Sequence, residues 1–491
     1  MSDIRTRARS GVRRRSAFAM LVCAGPLALA PTAHCAEAAV ATAPASATQP
    51  RQASVPPRQP VSGFVYDVDY PFIDYSGRPE RNDIARLEAR MRSGRVKLEY
   101  REPRGYLDSL LEALGIDPDS QVLVFSKTSL QTDFISPQTP RAIYFNDDTY
   151  VAWIEHSSLI EITTMDAMMG AVFYTLSDRP AGPARFERET TRCLSCHDTF
   201  SLSGGGVPNF LFLSAYTRRD GQIVTNDVAR HTSDATPLAD RWGGWYVTGD
   251  LGGVEHLGNL LPPPSGDIPL SAVHPRNLAV LDGLFDTKPY LNDKSDVVAL
   301  LVLQHQVDVH NLIIHANYKS RMLMERLQPG SSTAGLTWEQ LPPRMQRQFQ
   351  ALLEPLVRGM LMVGAAKFPA PVHGNSGFAQ SFEARGPRDP QGRSLRDLDL
   401  QTRLFKYPLS FLIYSEGFDC LPPAAKEYVY RRLDAILTGH DTSPAFANLS
   451  AADRAAIFEI LRATKPDFAR AVARGGMSAA APNAPSAGAK G

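Results

Sequence analysis

The sequence predicts an α+β protein, with an N-terminal region of mixed helix and strand followed by a mainly helical C-terminal region. Three observations carry this. Between residues 121 and 175 lie several short runs rich in β-branched and aromatic residues. From about residue 277, apolar residues recur instead at helical spacing over long stretches. Hydrophobic residues make up 43% of the 491-residue chain, enough for proper cores, and the length suits two or three domains.

The chain opens on Arg5, Arg7, Arg9, Arg13, Arg14 and Arg15, continues through an apolar stretch at 17–30, and reaches small residues at Ala36-Glu37-Ala38. That is the layout of a secretory signal peptide over 1–38, cleaved near Ala38. The apolar stretch is shorter than the ~20 residues that cross a bilayer. The surroundings of Arg13-Arg14 fit a twin-arginine signal poorly, and Thr32-Ala33-His34 is a poor lead-in for a lipid on Cys35. The reading is export to the periplasm. No later segment reads as long and apolar enough to span, so no integral membrane segment is expected in the mature chain. Residues 39–60 are Ala, Pro, Thr, Gln and Ser with few large apolar residues, a disordered linker.

The α+β region is expected over 61–180. Helices are predicted at 83–91 and 105–114, and strands at 96–100, 121–126, 142–145, 150–154, 159–163 and 171–175. Asn146-Asp147-Asp148 suits a hairpin turn. The second region, 181–465, begins loop-rich, with Gly204-Gly205-Gly206, a hairpin at Asp220-Gly221, the run Arg241-Trp242-Gly243-Gly244-Trp245-Tyr246 and Pro262-Pro263-Pro264. It becomes helical after 277. The strongest element, 296–327, is apolar on more than one face and so is expected to be buried. Further helices are expected at 342–363, 397–415 with a break at Pro408, and 424–437. Ser450 and Asp453 resemble a capping box opening a last helix to about 464. Residues 466–491 read as a mostly disordered tail.

Lys and Arg number 52 and Asp and Glu 51, a net charge of +1, which argues against a nucleic-acid partner bound through phosphates. Of five cysteines, Cys23 and Cys35 leave with the signal peptide. Cys193, Cys196 and Cys420 remain, too few for a disulfide scaffold. Cys420 reads as a buried apolar residue.

Cys193-Leu194-Ser195-Cys196-His197 is the C-x-x-C-H pattern of covalent haem attachment. Two thiols one helical turn apart can each add to a haem vinyl group, and the next residue's imidazole then reaches iron from below. A zinc site needs a second ligand pair that Cys420 alone does not supply. A thioredoxin-type pair belongs after a strand in a βαβ unit, a context not seen here, and a plain disulfide gives His197 no role. One covalent haem c is therefore expected on Cys193, Cys196 and His197.

The runs Arg141-Ala-Ile-Tyr-Phe-Asn-Asp-Asp148, Arg192-Cys-Leu-Ser-Cys-His197, Arg241-Trp-Gly-Gly-Trp-Tyr-Val-Thr-Gly249 and Leu404-Phe-Lys-Tyr-Pro408 resemble an uncharacterised family of bacterial periplasmic c-type cytochrome-like proteins. The resemblance covers about residues 140–465 and implies haem attachment at Cys193, Cys196 and His197, with no known reaction.

The sixth iron ligand is not fixed by a motif. No Met lies between His197 and Met322, and Met165, Met168 and Met169 suit a core. On the long helix, five residues is about 140° of rotation, so His305, His310 and His315 cannot all address one haem. His305 shares its side with Leu301, Val298, Val309 and Leu312, and His310 lies on a mixed side. His315, beside Gln304, Asp308 and Asn311, looks polar. His305 or His310 is the expected distal ligand. Arg241 is a candidate to pair with a propionate, and Trp242 and Trp245 to wall the haem. These readings point to a periplasmic mono-haem cytochrome that transfers electrons to a partner protein. Two others stand beside it: a haem-dependent peroxidase or oxidase with an open distal site, for which no catalytic residue can be named, and a haem-bearing subunit of a redox complex.

Overall fold

The computed structural model describes residues 68–180, 182–199, 204–224, 230–261, 277–327 and 335–474. The expected signal peptide (1–38), the linker (39–60) and Pro262-Pro263-Pro264 lie outside the described residues.

The architecture is α+β, an N-terminal antiparallel sheet followed by a mostly helical C-terminal region. Six strands form a meander in which each pairs with its chain neighbour: β1 (Val122–Val124), β2 (Arg141–Phe145), β3 (Thr149–Trp153), β4 (Leu159–Asp166), β5 (Gly170–Ser177) and β6 (Phe186–Arg188). Alternation of side chains gives the sheet two unlike faces. Ala142, Tyr144, Val151, Trp153, Ile160 and Ile162 are buried, whereas Arg141, Ile143, Ala152, Glu161 and Thr163 on the other face are only partly covered. Register carries this second face across the sheet, with Ile143 opposite Ala152, Ala152 opposite Glu161, Glu161 opposite Thr175 and Thr163 opposite Phe173. At the β2–β3 turn, Asn146 Oδ1 accepts from the backbone N–H of Asp148 (3.0 Å) and Thr149 (2.8 Å), the Asx turn that the residue types predict. The Asp220-Gly221 hairpin is also present, with Gly221 at φ 87°.

Helix α1 (Asp83–Arg92) opens on Asn82, whose side chain accepts from Ala85 N–H, and α2 (Leu107–Leu114) closes on Gly115 in the left-handed region. The strand expected at 96–100 joins no sheet. Its Glu99 is tied instead to the Ser109 hydroxyl, which bonds both its N–H and its C=O.

The one-turn helix α3 (Leu194–His197) follows the sheet, and the long helix α4 (Val297–Leu327) fills the centre of the fold. Leu300, Leu301, Val302 and Leu303 are successive residues of α4 and none exceeds 2% exposure, so every side of its first turns is enclosed. The expectation that no segment beyond the leader is long and apolar enough to cross a membrane is corrected. Helix α4 meets that test, and its most apolar stretch is 83% buried inside the protein. A core helix covered on all sides needs the same composition as a spanning one.

Beyond it lie α5 (Pro343–Met360), α6 (Phe378–Ala384), α7 (Glu416–Asp419), α8 (Pro423–Leu437), α9 (Ala451–Thr464) and α10 (Pro466–Arg474). Both capping-box bonds between Ser450 and Asp453 form at the start of α9. The helix expected at 397–415 is absent apart from a 3₁₀ turn, Phe411–Tyr414. There the side chains of Asp397 and Asp399 bond the N–H groups of Ser394 and Gln401, competing with helical pairing. Residues 466–474 of the expected tail are helical, because Phe468 is fully buried against Tyr430 and Phe458. The rest of that tail lies outside the described residues. Sheet and helices share one apolar core from Ile84 to Phe468, running on across residue 180.

Candidate functional site

Helix α3 is a single turn. Cys193 C=O accepts from the N–H of Cys196 (3.2 Å) and of His197 (3.0 Å), so both thiols and the imidazole project from one turn. Leu194, 3% exposed, anchors the turn in the core. Both cysteines are free thiols, Cys196 exposed and Cys193 partly buried. Burial pushes the Cys193 thiol up to about 12, so it is protonated at neutral pH. Cys420 is buried, 6% exposed.

His197 is held by a reciprocal pair of bonds. Its Nδ1 lies 2.7 Å from Asn209 O, and Asn209 N–H donates to His197 O at 2.9 Å. A carbonyl oxygen can only accept, so Nδ1 carries the proton and Nε2 keeps its lone pair. Among the described residues the Nδ1 bond is the ring's one hydrogen bond. Burial lowers the His197 pKa to about 4, against the opposing effect of the Asn209 bond and with a further lowering by the Arg141 charge. The imidazole is therefore neutral at neutral pH. Its ring rests on Phe173, with centroids 4.4 Å apart, on the partly covered face of the sheet.

The segment that grips His197 is in turn gripped by α4. The Asn311 side chain bonds both the N–H (2.9 Å) and the C=O (3.0 Å) of Phe210. One turn on, His315 Nε2 lies 3.2 Å from the Asn209 amide Nδ2, and because an amide nitrogen donates, His315 accepts. Gln304 bonds Ser233 O and Asp308 accepts from Asp234 N–H, extending the same polar stripe along α4.

The remaining sequence candidates lie elsewhere. Arg241 is 2% exposed and donates to the backbone oxygens of Thr236 and Asp234, both at 2.8 Å. Trp242 is buried edge-on to His256, and Trp245 stacks on Phe212 while its Nε1 donates to Leu213 O. Among the described residues no hydrogen bond or ring contact joins these three to Cys193, Cys196 or His197. Of the two expected distal ligands, His305 has both nitrogens engaged within the protein and His310 has one. His305 Nδ1 donates to Asp234 Oδ2 at 2.6 Å, and its Nε2 accepts from the Ser410 hydroxyl at 2.9 Å. That leaves His305 no nitrogen for a metal in this arrangement. The Ser410–His305–Asp234 chain has the order of a hydrolytic triad. Ser410 and His305 are 0% exposed, though, so the chain works as a packing tie between loop, helix and 3₁₀ turn. His310 Nδ1 pairs with Tyr150 OH at 3.0 Å and its ring lies against Phe210, while its Nε2 is buried with no hydrogen-bond partner among the described residues.

The sequence groups Cys193, Cys196 and His197 on one turn, but it did not name Phe173 or Asn209, and it noted Asn311 and His315 only as a polar group on the long helix. A signal was available. Gln304, Asp308, Asn311 and His315 recur at four, three and four residues on an otherwise apolar helix, a spacing that marks one face given to bonding the chain beside it. Comparison with protein-family models, curated proteins and solved structures finds no match.

Proposed function

We propose that this chain belongs to the c-type haem proteins, with one haem held covalently by Cys193 and Cys196 and ligated by His197. The particular role we infer is that of a periplasmic mono-haem cytochrome that exchanges electrons with a partner protein, exported by the leader at 1–38. The observation that carries this is the state of His197: neutral, its proton fixed on Nδ1 by Asn209 O, its Nε2 lone pair unused. Proximal histidines are oriented by this kind of second bond, which sets the tautomer and stiffens the ring. Two free thiols on the same turn supply the attachment points. Among the described residues no three His, Cys, Asp or Glu side chains gather as a metal site, so a lone imidazole suits a metal that brings its own donors. Haem c, when bound, supplies one-electron redox chemistry. The chain's part is to fix the ligand through Asn209, to brace Asn209 through Asn311 and His315, and to pack Phe173 under the imidazole.

Mass analysis of denatured protein made with the cytochrome c assembly machinery is expected to find haem on the peptide holding residues 193–197. Cys193→Ala and Cys196→Ala each remove one linkage, and the double variant carries none. Haem that acid-acetone extracts completely from the unmutated protein overturns the proposal.

A second reading, a peroxidase or oxidase with an open distal position, is favoured by one observation, that both nitrogens of His305 are taken within the protein, which leaves His310 as the one remaining candidate ligand of the two. On this reading His305→Ala leaves the visible spectrum of the holoprotein unchanged. It lowers stability by about 3 kcal/mol, because a buried ring is lost and Asp234 is stranded. A change from a low-spin to a high-spin spectrum in that variant restores His305 as a ligand and removes this reading.

A further inference from the structure

Arg141 is the least satisfied cation on the partly covered sheet face. A guanidinium has five N–H donors. Here the side chain is 13% exposed, its only partner among the described residues is Glu161, at 3.5 Å from one terminal nitrogen, and its Nε is buried with no partner. Glu161 is not short of partners in return. Its other oxygen accepts from the Ser129 hydroxyl and the Gln131 amide, both at 3.0 Å. The carboxylate is thus well bonded while the guanidinium beside it keeps most of its donors idle. A largely buried guanidinium in that condition is costly unless a further anion completes it.

Position says which anion. Arg141, Ile143, Ala152, Glu161 and Thr163 share the face on which His197 rests, and Thr163 lies directly opposite Phe173, the residue under the imidazole. Ile143 and Ala152 make the middle of this strip apolar, and both are partly exposed. The segment bearing Ser129 and Gln131 also carries Leu130 and Phe134, at 44% and 43% exposure two of the most exposed large apolar side chains among the described residues. An apolar strip with an unsatisfied guanidinium at one end fits a flat apolar molecule with carboxylates along one edge. A planar fork also matches a carboxylate better than a point charge would.

We propose that Arg141 binds a propionate of the haem, which lies over the strip Ile143–Ala152–Thr163 beside His197. This rests on the covalent-haem reading above. It replaces Arg241, whose donors are already directed at backbone oxygens.

The test uses the full-length holoprotein with Arg141→Gln and Arg141→Lys, after mass analysis has established covalent haem in each. In the unmutated protein the propionate is held ionised by the guanidinium. Arg141→Gln is expected to lower the midpoint potential at neutral pH, since a positive charge beside the haem is lost. It also moves the acid inflection of the potential–pH curve upward by one pH unit or more, a tenfold loss of preference for the carboxylate form. Arg141→Lys is expected to move both in the same direction by less, and it keeps the test valid if the Gln variant fails to fold. An unmutated protein without covalent haem defeats the functional reading itself. Covalent haem with potential–pH curves that coincide in all three proteins defeats the Arg141 assignment alone. An acetate titration distinguishes a free carboxylate: a saturable shift of the haem absorbance in the unmutated protein, absent from Arg141→Gln, with coincident potential curves, overturns the propionate assignment.

Discussion

Burial sets the charge of single side chains in this protein, and Asp148 is the clearest case. Desolvation, followed by the neighbouring carboxylates of Asp147 and Asp83, raises its pKa to about 7. His310 Nε2 stands 3.8 Å from its carboxyl but offers no charge, because burial lowers His310 to about 3 and keeps it neutral. In the unfolded chain Asp148 titrates near its ordinary value of about 3.9. Between that value and about 7 the folded state keeps a proton that the unfolded state has released, so this group makes stability fall as pH rises through that window. Asp148→Asn is expected to gain stability over the unmutated protein steadily from pH 4 to 7, with a constant difference above. Urea midpoints across pH 4 to 8 measure it, and a difference independent of pH would show that the carboxyl ionises normally in the fold. Residue types announced the Asx turn around Asp148 but not its protonation. The turn needs only Asn146 and the next three residues, whereas the pKa depends on the long helix and the rest of the chain packed over it.

Among the elements, α4 organises the interior. Its start is fixed by Asp296, 1% exposed, whose Oδ1 accepts from Val298 and Ala299 N–H while Oδ2 accepts from Asn375 N–H, Ser376 N–H and the Ser376 hydroxyl. One carboxylate caps the helix and ties down a loop some eighty residues on. Asp296→Ala removes the cap, worth about 1 kcal/mol. It also strands three loop donors at about 1 kcal/mol each, for an expected total loss of about 4 kcal/mol. Chemical denaturation checks this, and a loss no larger than the cap alone would show that the loop finds other partners. The apolar periodicity of 296–327 made the helix legible in the sequence. Its polar residues were harder to read. Gln304, Asp308, Asn311 and His315 serve the chain around residues 209–234. Gln306, His310, Asn317 and Tyr318 serve the turns and strands of the sheet. Polarity on a buried helix signals such partners, but their identity is non-local.

For the whole molecule, a single core joins the sheet to the helices, with Trp153 of β3 inside it and Trp338, tilted against Tyr428 of α8, packed on it. Unfolding is therefore expected to be concerted. Fluorescence of Trp153 and of Trp338, each read in a variant lacking the other tryptophans, should give the same denaturant midpoint as far-UV circular dichroism. Separate midpoints would show that residues 61–180 fold as a domain of their own.

The features that the sequence determined by itself are those with short-range causes. Strands β1 to β5 of the meander follow from short runs of β-branched and aromatic residues, α9 from the Ser450–Asp453 box, and the placing of two thiols and an imidazole on one turn from C-x-x-C-H. The tertiary structure alone decided which histidines are available. His197 keeps a free Nε2 because the backbone of Asn209, twelve residues on, takes its other nitrogen. His305 loses both of its nitrogens to Asp234 and Ser410, 71 and 105 residues away. The apolar neighbours that made His305 look suited to a haem face describe its side of the helix. What occupies that side is set by distant segments that the core brings together, and a buried ring nitrogen bonds whichever polar group packs against it.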